Sequence, residues 1–74
     1  MGAYILITTD MGKVMDVLAA IKAIEGVKSA HATIEPYDII AFIEFTDPEA
    51  MKSLLIDKIH KVPGISRTLT CLAA

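Results

Sequence analysis

A single cysteine, Cys71, leaves this 74-residue chain without an internal disulfide and without a second thiol for zinc or redox work. That usage suits a reducing interior, and Cys71 itself is expected to be a small packed residue. Runs of Lys or Arg are also missing. Seven basic residues against nine acidic ones give a formal charge of −2. Nucleic-acid binding leans on a positive surface that releases phosphate counterions, so direct DNA or RNA binding is disfavoured. No basic stretch opens the chain, and no apolar run approaches the roughly 18 residues of a membrane span. Neither a signal peptide nor a transmembrane span is expected, so the expectation is a soluble cytoplasmic protein with no membrane partner. A Gly-rich phosphate loop is absent. His31 and His60 stand 29 positions apart on different elements, which makes both surface or interface residues rather than metal ligands. No acid–base pair converges, so no catalytic residue, metal or cofactor is assigned and an enzyme is not expected.

What the chain does contain is a repeat. Residues 3–36 and 41–74 read as two versions of one unit, offset by 38 positions. Ala3-Tyr4-Ile5 matches Ala41-Phe42-Ile43, and Thr8 matches Thr46. Ile21-x-x-Ile24-x-Gly26-Val27 matches Ile59-x-x-Val62-x-Gly64-Ile65. The repeat fills residues 1–74 as a single domain. A monomer of this size buries only about 60% of its extended surface. Yet 54% of the residues are apolar, more than one thin core needs, and the excess points to a second covered face between subunits.

Tyr4–Thr8 is β-branched and apolar and reads as a strand. Gly12 separates it from a helix over Lys13–Ile24, where Val14, Val17, Leu18, Ile21 and Ile24 recur at helical spacing and Asp10 is the expected cap. Glu25-Gly26 ends that helix. Val27–Ile34 is the second strand, and Glu35-Pro36-Tyr37-Asp38 turns the chain. Ile39–Phe45 is apolar at almost every position, as a strand covered on both faces would be. Asp47-Pro48-Glu49 starts a second helix, with Asp47 as cap and Pro48 in the first turn. Met51, Leu54, Leu55, Lys58, Ile59 and Val62 follow its period until Pro63-Gly64 stops it. Ile65–Leu72 is the last strand.

This βαββαβ order predicts an α+β, ferredoxin-like sandwich: a four-stranded antiparallel sheet with both helices on one face. Alternation puts Ile5, Ile7, Ile43 and Phe45 toward the helices. Tyr4, Leu6, Ile40 and Phe42 fall on the other face and are assigned to a dimer interface.

Two functions found on this topology depend on short motifs. A soft-metal carrier needs a Cys pair after the first strand, where this chain has Thr9-Asp10-Met11-Gly12. An RNA-recognition strand needs a basic residue, a glycine and an aromatic where Asp38, Ile39 and Ile40 stand. One polar constellation remains: Thr33, Glu35, Tyr37 and Asp38 around the turn, with Thr68 and Thr70 on the last strand. A carboxylate there suits the ammonium of an amino acid, and hydroxyls suit its carboxylate. A solvated turn beside a β-rich threonine face accounts for the same residues. Asp16, Lys22, Lys52 and Lys58 read as solvated helix faces.

Ala3-Tyr4-Ile5-Leu6-Ile7, Gly26-Val27, Tyr37-Asp38, Asp47 and Pro63-Gly64-Ile65 with Thr68-x-Thr70 together resemble one family over nearly the whole chain. It is the effector-binding and oligomerisation (RAM) domain of the leucine-responsive/asparagine-regulator (Lrp/AsnC) transcription regulators. The resemblance implies dimers paired sheet to sheet, often four of them in a ring-shaped octamer, with small effectors, commonly amino acids, bound between dimers near the turn. Carried over, Glu35, Tyr37 and Asp38 border the pocket, and Thr68, Thr70 and Cys71 approach from the last strand of the same or a neighbouring subunit. Two departures stand out. The chain starts at the first strand with no helix-turn-helix ahead of it, as in stand-alone forms that bind effectors or join full-length relatives, and equally as in a fragment excised from a longer regulator. Glu35 also occupies a position where the family pattern has Gly, which alters bulk and charge at the turn.

Overall fold

In the computed structural model, residues 1–73 are described. The elements run β1 (Gly2–Thr9), α1 (Val14–Lys22), β2 (Val27–Ala32), β3 (Ile39–Glu44), α2 (Pro48–Ser53) and β4 (Ile65–Leu72). Helix α2 continues through a π turn at Leu54–Lys58 and a 3-10 turn at Ile59–Lys61. The strands form one antiparallel sheet in the order β2-β3-β1-β4, so the ferredoxin-like expectation holds.

Alternation along β1 and β3 builds the core. Ala3, Ile5 and Ile7 of β1 and Ile39, Ala41 and Ile43 of β3 are buried under Val17, Leu18 and Ile21 of α1. Ile5, Ile7, Ile21, Ile39, Ile43, Ile59 and Val17 are fully buried. Each contributes about 1.5–3 kcal/mol relative to exposure. Phe45 packs half-buried against the same cluster, just beyond the end of β3.

Several boundaries differ from the sequence expectation for local reasons. Asp10 does not cap α1. The helix is entered through Lys13 with no side-chain cap, and the Lys13 N–H instead donates to the Asp10 carbonyl at 3.0 Å. Gly12, at φ 78°, closes that turn and displaces the helix start beyond reach of the Asp10 carboxylate. At its other end α1 tightens, with Ala23 and Ile24 donating to Ala20 and Ile21, so the regular helix stops before Ile24.

The second helix begins as expected. The Asp47 carboxylate accepts from the Ala50 N–H at 2.8 Å, with Pro48 in the first turn. Its interior does not follow one period. The extra residue of the π turn advances the phase by about 100°. After the shift Lys58 is exposed, as expected of a solvated face, and Ile59 is fully buried.

The repeated glycines have one physical task. Gly26 and Gly64 follow the two helices at φ 101° and 97°, a left-handed region that disfavours side chains. At Gly64 space is also short: a Cβ there would lie 3.0 Å from Val17 Cγ2 and 3.1 Å from Lys13 Cβ.

Candidate functional site

The turn between β2 and β3 is held by its own polar groups. The Thr33 N–H donates to the Asp38 carbonyl at 2.8 Å, and the Thr33 hydroxyl donates to the Tyr37 carbonyl at 2.7 Å. These bonds divert the chain from the ladder after Ala32, so β2 ends before Ile34, which is left 92% exposed. The Glu35–Pro36 peptide is cis, and Glu35 projects into solvent.

Asp38 ties this turn to the middle of the sheet. Its N–H donates to the Ile7 carbonyl at 2.9 Å. Its Oδ2 accepts from the Thr9 N–H at 2.8 Å and from the Thr9 hydroxyl at 3.2 Å. Thr9 is the one buried polar residue among those described. Sequence reasoning missed it, because the two residues lie 29 positions apart and no spacing rule joins them. The signal present was a polar residue at an inward position of an apolar strand.

The last-strand residues do not join the turn within one chain. In the ladder Thr68 faces Ile7, Thr70 faces Ile5 and Cys71 faces Tyr4, so the set runs away from the turn toward the opposite end of the sheet. Thr68 and Thr70 lie on the helix side, half-buried, and Thr68 Oγ1 stands 3.2 Å from His60 Nε2. Cys71 alternates to the opposite face. There it is exposed rather than packed, because no element of this chain covers that side of β4. Thr33, Glu35, Tyr37 and Asp38 therefore form one group, and Thr68, Thr70 and Cys71 are separate from it.

The face opposite the helices is apolar at its centre. Leu6, Ile40 and Phe42 are half-buried and Tyr4 is 47% exposed, with the Tyr4 and Phe42 rings 4.9 Å apart and tilted by 53°. Leu69 of β4 lies beside Leu6 and extends the patch. Among the described residues no three His, Cys, Asp or Glu side chains gather as metal ligands, and no helix is long and apolar enough to cross a membrane.

The profile of the Lrp/AsnC ligand binding domain matches residues 2–74. The chain belongs to the Lrp/AsnC ligand-binding-domain family. That family is one of ligand binding rather than of catalysis. The Lrp/AsnC domain described here is similar to the crystal structure of FFRP-DM1. The TM-score is 0.93 at 32% identity, covering 99% of this chain and 97% of that one. PHS023, a hypothetical protein from Pyrococcus horikoshii, gives 0.92 at 32% identity over 99% and 88% of the two chains. AsnC of E. coli gives 0.92 at 25% identity over 97% of this chain but only 49% of that one, so the Lrp/AsnC domain spans about half of that regulator. No curated protein matches.

Proposed function

We propose that this domain is an assembling sensor module: it pairs with a second copy through its open sheet face and binds an amino acid at the resulting subunit interfaces, beside the β2–β3 turn. The observation that carries the reading is the uncovered apolar centre formed by Tyr4, Leu6, Ile40 and Phe42, in a chain whose family is one of ligand-binding domains. A cover of this kind requires a self-complementary partner, and a second copy supplies one. Dimers then assemble into a ring, an octamer in the fullest form. Full-length Lrp/AsnC regulators with a DNA-binding segment are the mixed partners.

The effector site includes Thr33, Tyr37 and Asp38 from one copy. Only one oxygen of the Asp38 carboxylate is engaged by Thr9, which leaves the other for an ammonium group. Thr68, Thr70 and Cys71 come from a neighbouring copy, since within one chain they lie elsewhere on the sheet. Isothermal titration with a panel of amino acids tests the sensing half. Heat from one or a few of them is expected, and none at millimolar ligand defeats it.

A second reading is favoured by Glu35, which stands where the family pattern has Gly. Its bulk and charge suit a purely structural partner that co-assembles with full-length regulators and takes no ligand. Masses of mixed samples separate the two, because this reading requires co-assembly unaffected by any amino acid.

A further inference from the structure

Charge is distributed unevenly along the chain. All nine acidic side chains precede Lys58, whereas the segment after Asp57 carries Lys58, His60, Lys61 and Arg67. The fold gathers part of this basic segment at one place. His60, Ile65, Ser66, Arg67 and Thr68 line a hollow of about 250 Å³ at β4, an edge strand of the sheet. Its polar groups are arranged. Thr68 Oγ1 holds His60 Nε2 at 3.2 Å, and the Ser66 hydroxyl donates to the Thr8 carbonyl at 3.1 Å. Arg67 is the only arginine of the chain. Among the described residues the one ion pair is Lys28–Glu44 at 3.4 Å, so the Arg67 guanidinium has no carboxylate partner among them.

Glu35 is an exposed anion without an ion pair among the described residues. It projects from the β2–β3 turn beside Ile34, an apolar side chain almost wholly in water. Glu35 makes no ion pair with the hollow of its own chain. The turn joins β2 to β3, the hollow lies on the β4 edge, and β1 stands between β3 and β4, a span of about 10 Å at ordinary strand spacing.

We propose that the Glu35 carboxylate of one copy seats in the His60–Arg67 hollow of a second copy. Ile34 then lies against Ile65, and the acidic turn is clamped to the basic edge of β4. An arginine fork matches a carboxylate in shape and charge, and apolar neighbours strengthen the pair by excluding water. Each copy carries both halves, so the contact forms twice in a closed pair or once per step around a ring. It also brings the turn of one subunit to the last strand of another, which the effector site requires. The Glu at this position is then a specificity device between subunits, selecting copies that carry the basic hollow.

This inference rests on the assembly reading above, and one experiment separates their failures. Dissociation constants are measured by sedimentation equilibrium for the unaltered chain, E35R, R67E and the E35R/R67E double variant, with E35Q as a milder change. Both side chains are exposed, and circular dichroism verifies that each variant folds. Either reversal is expected to weaken assembly about tenfold, E35Q less, and the double variant to recover to within about threefold. Assembly untouched by either reversal, or a double variant no tighter than the weaker single one, overturns the Glu35–Arg67 contact and leaves the assembly reading standing. An unaltered chain that stays monomeric throughout overturns both.

Discussion

The Asp38 carboxylate accepts two hydrogen bonds from one residue, Thr9, through its backbone N–H at 2.8 Å and its hydroxyl at 3.2 Å. This pair joins the turn after β2 to the end of β1. Asp38→Ala leaves the Thr9 N–H without its partner in a largely buried position, a loss of about 1–3 kcal/mol. Thr9→Val keeps the N–H bond and removes only the hydroxyl, for about 1 kcal/mol. Urea midpoints are expected to rank unaltered chain, Thr9→Val, Asp38→Ala, and the reverse order for the two variants would contradict the anchoring role.

The post-helix glycine is needed on two counts and the loop glycine on one. Gly64→Ala meets both a left-handed backbone and the contacts from Val17 and Lys13, whereas Gly12 has open space around it. Gly12→Ala is expected to cost about 1 kcal/mol and Gly64→Ala more. Thermal melts of the two variants side by side provide the measurement, and equal losses would mean that the Val17 contact is relieved freely.

On the open sheet face, Phe42→Asp places a charge at the centre of the proposed pairing surface while leaving the helix-side core intact. Size-exclusion chromatography with light scattering should show a folded monomer. A multimer of unchanged mass would place the subunit contact elsewhere.

Capping of the second helix is separable from the rest. Asp47→Ala removes the bond to the Ala50 N–H and should cost about 0.5–2 kcal/mol. Asp47→Asn should restore most of it. Asp10→Ala, at the position first expected to cap α1, should be near neutral, since only its backbone N–H and carbonyl are bonded, to Gly64 and Lys13. Denaturant midpoints of the three variants decide the matter.

Much of this architecture was legible because its signals are local and repeat. Period-2 alternation in β1 and β3, Asp47-Pro48 before a helix, and a glycine after each helix each follow from chemistry within a few residues. The alternation assigned Ile5, Ile7 and Ile43 to the core and Tyr4, Leu6, Ile40 and Phe42 to the opposite face without reference to any partner strand. The π turn was hidden, because Leu54, Leu55, Ile59 and Val62, the apolar positions of a regular helix there, are also the ones that pack against the core around the π turn.

The polar constellation was legible as residue types and not as a site. Its members share hydroxyls and carboxylates, but which of them meet depends on strand order and register. Amino-acid sequence by itself determined that the chain alternates as βαββαβ with two unlike sheet faces, since side-chain periodicity is a property of neighbouring residues. Only the tertiary structure decided that Thr9 engages Asp38, that Thr68, Thr70 and Cys71 lie away from the turn, and that Arg67 stands on an edge strand. Those facts come from residues far apart in the chain being placed by the sheet, where hydrogen-bonded register rather than sequence distance sets what each side chain can reach.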